Sequence, residues 1–279
     1  VQLGNFQLDI ISDGTLRLDG GAMFGIVPKT IWEKVAIPDE KNRILVGLNC
    51  LLVRTPQHNI LIDTGVGEKW TEKQSSIYAI SHPPTILSSL ETLGLSANDI
   101  TIVINTHLHF DHAGGNTYFD SDKRIHPTFP KASYYIQKTE YEHALNPHER
   151  DKASYLKENW EVLVENNQLH FTQETQEIVP GVTVFRVPGH NLDTQLIKIT
   201  HGDTTVVFLA DIIPTIAHLP IAWVMGYDLY PVELMEQKKI LLAQAASQNW
   251  ICIFEHETKI PAGRIIEKQN TYQVVPIEF

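Results

Sequence analysis

Apolar residues in this chain come in short, dense runs separated by polar stretches. Residues 59–65, Asn-Ile-Leu-Ile-Asp-Thr-Gly, read as a buried strand ending in a turn. The β-branched run at 100–106 predicts another strand. Further strands are expected over 182–187, 194–200, 204–210 and 250–255. Ile86, Leu87, Leu90 and Leu93 fall at helical spacing and predict a helix over 84–94. Val232, Met235, Leu242 and Ala245 mark one face of a second helix, over about 232–246. Residues 139–166 are polar and helix-like, with Pro147 as an interruption. Frequent strands with helices between them favour a layered α/β arrangement. Neither a long linker nor a repeat divides the sequence, so residues 1–279 are expected to form a single domain.

Composition narrows the function. Hydrophobic residues make up 43% of the 279, which is enough for a sizeable core. Lys and Arg number 22 against 33 Asp and Glu, a net charge of −11. An acidic chain is a poor binder of nucleic acid or anionic membrane, because both require phosphate neutralisation. No run approaches the roughly 20 apolar residues of a membrane span. The start, Val1-Gln2-Leu3-Gly4, has no signal-peptide pattern and no initiator Met. A cytoplasmic setting is therefore expected, with upstream trimming left open. Cys50 and Cys252 lie in apolar runs and are expected to be buried fillers, not a disulfide framework.

Histidine is the unusual residue. There are 13, and three of them fall with an aspartate in the six positions His107-Leu108-His109-Phe110-Asp111-His112, directly after the strand at 100–106. Imidazole nitrogen and carboxylate oxygen are ligands of Zn²⁺ and related ions. Gly114 and Gly115 follow and allow the backbone to bend closely. Other candidates each end an expected strand: His190 after 182–187, Asp211 after 204–210 and His256 after 250–255. Strand ends are where α/β sheets place their sites. The histidines at 58, 82, 126, 143, 148, 170 and 201 stand in polar contexts and are expected at the surface.

The run His107-x-His109-x-Asp111-His112, the turn Asp63-Thr64-Gly65, the Pro188-Gly189-His190 element, Asp211 and His256 occur in the order of the metallo-β-lactamase superfamily, which the chain resembles from Asp63 to His256. That resemblance implies a four-layer αββα sandwich with metals at one edge of the two sheets. It implies that His107, His109 and His190 hold one ion, that Asp111, His112 and His256 hold a second, and that Asp211 bridges both. Asp63 would accept a hydrogen bond from a ligand imidazole and fix its tautomer. The implied cofactor is a pair of divalent ions, zinc first, with manganese, cobalt or iron as alternatives. Such a pair supplies a hydroxide nucleophile at neutral pH, with Asp111 and Asp211 as the catalytic carboxylates and Asp111 carrying the proton.

Two segments, Asp19 to Pro28 and Asp211 to His218, together with Gly226-Tyr227-Asp228, resemble a lactonase-like branch that includes N-acyl homoserine lactone lactonases and, more distantly, methyl parathion hydrolase. This implies a small-molecule substrate carrying a lactone or ester. A phosphotriester is the alternative, followed by a mononuclear-iron persulfide dioxygenase. One departure is evident: well-known lactonases carry a tyrosine three residues after the bridging aspartate, and here that position is Pro214. Met23 and Phe24 lie in an apolar loop that can roof an acyl pocket, form a homodimer contact or pack in the core. Met23, Phe24, His218 and Trp223 are taken as candidate substrate contacts, with His218 as the group that would orient a carbonyl in place of the missing tyrosine.

Overall fold

The computed structural model describes residues 1–279. In chain order the strands are β1 (Gln2–Leu3), β2 (Phe6–Asp19), β3 (Arg43–Arg54), β4 (Asn59–Ile62), β5 (Ile102–Ile104), β6 (Thr117–Phe119), β7 (Ile125–Pro127) and β8 (Ser133–Gln137). They continue as β9 (Leu169–Thr172), β10 (Thr175–Val179), β11 (Val182–Arg186), β12 (Gln195–His201), β13 (Thr204–Phe208), β14 (Ile251–Ile253), β15 (Ala262–Lys268) and β16 (Thr271–Pro276). One seven-stranded sheet has the order β1-β2-β3-β4-β5-β8-β9; the other runs β10 to β16 in sequence order, and β6-β7 is a separate ribbon.

The two sheets share one apolar interior. Leu51, Val53, Ile60, Ile62, Ile102 and Ile104 of the first sheet pack with Val184, Ile197, Ile199, Val206 and Phe208 of the second. The intervening residues Cys50, Leu52, Leu61 and Val103 point to the opposite face of the first sheet. There they meet Ile86 and Leu90 of the helix Ile86–Thr92, and Leu163 of the helix Glu161–Glu165. Central strands buried on both faces read as continuous apolar runs and not as an alternation. The helix Pro231–Ser247 covers the second sheet through Leu234, Leu241, Leu242 and Ala245. The layering is therefore helix, sheet, sheet, helix, as expected.

Several expectations are corrected in detail. Val232 is exposed at 73%, and the buried face of its helix runs through Leu234, Lys238 and Leu241. The long strands β2 and β3 were not foreseen; a bulge between Ser12 and Thr15 breaks the alternation of β2. The stretch 139–166 is not one interrupted helix. It is a helix Lys138–Leu145, an irregular segment with two short 3₁₀ turns, and the helix Glu161–Glu165. No helix is long and apolar enough to cross a membrane.

Topology sets the position of the site. β4 and β5 are parallel, and β13 and β14 are parallel. β11 is antiparallel to β12, and β12 to β13, so β11 also runs with β13. The C-terminal ends of β4, β5, β11, β13 and β14 therefore open at the same end of the sandwich.

Candidate metal centre

The loop after β5 begins on a rigid footing. Asp63 follows β4 in the left-handed region, at φ 54°. Its carboxylate accepts hydrogen bonds from the backbone N–H and Oγ1 of Thr106, both at 2.7 Å. Its Oδ2 lies 3.2 Å from His112 Nδ1. The turns at 64–66 and 114–115 touch backbone to backbone: a Cβ on Gly115 would stand 2.2 Å from the Thr64 oxygen, and one on Gly114 2.2 Å from the Val66 oxygen. Only glycine permits that approach. On the other side, buried Glu140 accepts from the Leu108 N–H at 2.9 Å, the Tyr155 hydroxyl at 3.0 Å and the Asn191 amide at 2.8 Å. One carboxyl group thus ties together the loops bearing His107, His109 and His190. Burial pushes the Glu140 pKa up to about 7.

These supports bring the strand-end side chains to one place. The potential ligand atoms of His107, His109, His190 and Asp211 lie within 4.8 Å of one another, and so do those of Asp111, His112 and His256. His109 Nδ1 is 3.0 Å from His107 Nε2 and 3.1 Å from His190 Nε2. Asp211 faces both groups: Oδ2 is 3.2 Å from His190 Nε2 and 3.6 Å from His112 Nε2, and Oδ1 is 3.0 Å from His256 Nε2. Three of the outward ring nitrogens are held elsewhere. His107 Nδ1 meets Thr106 Oγ1 at 3.0 Å, His190 Nδ1 donates to Asp228 at 2.9 Å, and His256 Nδ1 donates to the Gly47 carbonyl at 2.8 Å. Fixing the outer nitrogen directs the inner one, which is how metal-binding imidazoles are oriented.

The protein leaves three of the inward atoms unsatisfied. His112 Nε2, His256 Nε2 and Asp211 Oδ1 are buried with no hydrogen-bond partner. Native interiors rarely leave such groups unpaired. Electrostatics agree. Burial, and then neighbouring imidazoles, hold the His107 and His109 pKa values well below the ordinary range. Burial also works against protons on His112, His190 and His256. There the nearby carboxylates win, chiefly Glu255 for His112 and Asp211 for the other two, and all three are raised. Asp211 in turn is held well below its ordinary value by those imidazoles, against the effect of burial. Crowded rings beside carboxylates demand positive charge at the centre, and the donor set of nitrogen and carboxylate oxygen fits divalent ions.

The family profile described as the metallo-beta-lactamase superfamily matches residues 44–256. The chain belongs to the metallo-β-lactamase superfamily. Among curated relatives of this superfamily, the chain is similar to the N-acyl homoserine lactonase AiiA of Bacillus thuringiensis subsp. kurstaki, with 30% identity over 152 residues, covering 51% of this chain and 54% of that protein. The match thus spans about half the length of the curated relatives. Among solved structures, a probable metal-dependent hydrolase from Staphylococcus aureus superimposes with a TM-score of 0.90 at 30% identity, over 100% of this chain and 99% of that one. AidC, a dizinc quorum-quenching lactonase in complex with a homoserine product, superimposes at 0.83 with 24% identity, over 100% and 97% of the two chains, and shares the fold.

A cavity of about 170 Å³ opens onto this strand-end cluster, with Met23, Phe110 and Met225 among its apolar lining and Tyr78 and Tyr227 beside them. Of the four residues expected to contact substrate, only Met23 lines this cavity. Phe24 is fully buried between Trp32 (5.2 Å, 13°) and His218 (4.9 Å, 1°) in an aromatic stack. His218 is corrected as well: its Nε2 donates to the Met23 carbonyl at 2.8 Å and its Nδ1 accepts from Thr215 Oγ1 at 2.8 Å. Burial lowers its pKa to about 4, and both nitrogens are occupied, so it supports the Met23 loop from behind. Trp223 packs edge-on against Phe24 and lines a separate surface groove. His82 and His143, expected at the surface, are partly buried and bonded to the Asp13 backbone and the Asp151 carboxylate. Cys50 and Cys252 are buried and free, as expected.

Sequence reading missed Glu140, Asp228 and Glu255. Asp228 belongs to the Gly226-Tyr227-Asp228 turn, where no spacing marks it as the partner of a histidine. Glu255 precedes His256, and its Oε2 lies 3.0 Å from His112 Nδ1, so two carboxylates flank one ring nitrogen. Burial pushes Glu255 up to about 8.

Proposed function

We propose that this chain is a metal-dependent hydrolase that opens a lactone or ester, with N-acyl homoserine lactones as the first substrates to test. The observation that carries this reading is the pair of adjoining buried clusters, both faced by Asp211, with His112 Nε2, His256 Nε2 and Asp211 Oδ1 left without partners between them. His107, His109 and His190 would hold one divalent ion, Asp111, His112 and His256 a second, and Asp211 both. Bound there, the ions supply an activated water at neutral pH and an electrophilic contact for a carbonyl oxygen. Zinc suits the nitrogen-rich donor set first.

The chain's own groups do the rest. Asp63, Asp228 and the Gly47 carbonyl hold the imidazoles in the orientation that leaves their inner nitrogens free. Asp111 lines the cavity at the mouth of the clusters, where its carboxylate can take a proton from the attacking water and return it to the leaving oxygen. Met23, Phe110 and Met225 exclude water and offer an apolar wall to an acyl chain. The small cavity and the acidic surface both suit a small-molecule substrate. The similarity to AiiA, an N-acyl homoserine lactonase by name, supports the choice of substrate.

The test is elemental analysis of gently purified protein, followed by turnover of N-hexanoyl-homoserine lactone, an aryl ester and a phosphotriester by the loaded protein. Two ions per chain and turnover of the lactone or ester are expected. At most one ion per chain overturns the two-ion assignment. Brisk phosphotriester cleavage without lactone or ester turnover overturns the substrate class.

A further inference from the structure

Carbonyl addition places charge on an oxygen, and a donor aimed at that oxygen strengthens as the charge develops. Position 214 cannot provide one. Proline has no side-chain donor, and the Pro214 carbonyl already accepts from the His256 N–H at 3.0 Å. His218 is committed on both nitrogens. The remaining polar groups of the cavity wall are few. Arg150 is an exposed residue anchored to the Gly226 carbonyl through Nη2 alone, without the rigid mounting of a turn, and Asp151 is bound to His143. Tyr78 packs its ring against Trp70 and Phe110 at 5.6 and 5.0 Å.

The hydroxyls of Tyr78, Ser154 and Tyr227 all face the cavity without a protein partner, and what sets Tyr227 apart is its mounting beside Asp228 and His190. Its ring lines the cavity together with Asp111, His190, Asp211 and His256, and no group of the protein hydrogen-bonds its hydroxyl. The residues on either side of it are held in place. The Gly226 N–H donates to the Ala22 carbonyl at 2.7 Å, and the Leu229 N–H to the His190 carbonyl at 2.8 Å. The Asp228 carboxylate accepts from Met225 N–H at 2.6 Å and from His190 Nδ1 at 2.9 Å. The phenol and one ring of the metal centre are thus mounted on a single rigid segment. The hydroxyl opens into the cavity with no protein group competing for it, so it is free to donate to a bound substrate.

Building on the hydrolase reading above, we propose that the Tyr227 hydroxyl donates a hydrogen bond to the carbonyl oxygen of the substrate, supplying from the 226–228 turn the contact that Pro214 lacks. The hydroxyl donates without giving up its proton. Burial, and then the charge of Asp111, keep its pKa above the ordinary range, which maintains the protonated form.

The experiment compares wild type, Tyr227→Phe and Tyr78→Phe, each with its metal content measured. The readouts are kcat and KM on N-hexanoyl-homoserine lactone, and the calorimetric Kd of the ring-opened acid, N-hexanoyl-homoserine. Tyr227→Phe is expected to lower kcat about 10²-fold, the scale of one lost oxyanion donor, and to weaken acid binding, with metal content and thermal midpoint unchanged. Unchanged kcat and Kd overturn the proposal. So does a loss that falls on Tyr78→Phe instead, or a loss of metal in Tyr227→Phe, which would show the residue acting through His190. If wild type turns over neither lactone nor ester, the hydrolase reading fails, and the acid-binding comparison still decides whether Tyr227 is the donor.

Discussion

The two ends of the sandwich are made from similar parts. At one end, strand-end loops bring His107, His109, His112, His190 and His256 around a cavity of about 170 Å³. At the other, Phe6, Pro56, Gly181 and two histidines, His58 and His201, surround an opening of about 650 Å³. The second opening is almost four times larger and also carries imidazoles. No side-chain atom around it, however, is buried without a hydrogen-bond partner, whereas His109, His112, Asp211 and His256 all contribute such atoms at the first end. His58 Nδ1, for example, meets Thr101 Oγ1 at 3.2 Å. Volume does not separate the two ends. Buried polarity that the chain itself leaves unanswered does, because such atoms are costly unless a ligand completes them.

The largest test of that contrast is His109→Ala against His58→Ala. His109→Ala should lose metal and lower turnover by about 10³-fold or more, since it removes a nitrogen central to one cluster. His58→Ala should leave kcat within about twofold, as surface substitutions away from a site do. Elemental analysis and steady-state rates on both variants decide it, and equal losses would erase the distinction.

A smaller effect is expected one layer out. Asp228→Asn and Asp63→Asn remove the carboxylates that orient His190 and His112. Each should weaken metal affinity about 10- to 100-fold, read by chelator competition, with the fold intact by circular dichroism. Affinity equal to wild type would mean that the rings are oriented by packing alone.

Lys238 sharpens the comparison through stability. Its buried ammonium donates to the carbonyls of His218, Pro220 and Trp223 at 2.7, 2.9 and 2.8 Å. It thereby holds the loop behind Met23. Lys238→Met should cost about 1–3 kcal/mol, the penalty for stranded buried acceptors, measured by urea unfolding. A neutral result would show that the loop holds itself.

The smallest effect is a pH dependence. Asp13 holds the His82 pKa above its ordinary value; its carboxylate lies 3.7 Å from Nε2, and its backbone oxygen accepts from that nitrogen at 2.7 Å. The folded state therefore favours the proton. That stabilisation is complete below the unfolded value near 6.5 and is lost as pH rises through the folded value. Its size should be about 0.5 kcal/mol or less, as for other partly exposed pairs. His82→Gln should remove this part of the slope of stability against pH above about 6; an unchanged slope would assign it to other groups.

What the sequence made legible follows from the same contrast. Strands β5, β11, β12, β13 and β14 announce themselves because burial on one or both faces forces dense β-branched runs. The cluster residues are legible because three histidines in six positions have little other explanation. The strands β2, β15 and β16 were not. A bulge disrupts the alternation of the first, and the last two form a hairpin in which β16 is largely exposed. Glu140 and Glu255 were hidden for a different reason. A lone glutamate in a polar stretch or at a strand end looks like surface, and only the fold shows it buried against a histidine loop. Phe24 and His218 misled because their segments carry the family resemblance, while their rings stack on each other behind the cavity wall.

The parallel pairing of β13 with β14 has a consequence in time. The seven side chains are scattered from His107 to His256, and the helix Pro231–Ser247 and strand β14 lie between Asp211 and His256. Contacts this distant in sequence are late events, since a long loop must close before they are rewarded. A nascent chain that ends short of residue 251 leaves one flank of β13 unpaired and the Asp211 carboxylate without its His256 neighbour. An ion gripped by all seven side chains would then seal the final closure, slow its reopening and raise resistance to proteolysis. Starving such a chain of metal would show first as a shorter lifetime of the protein.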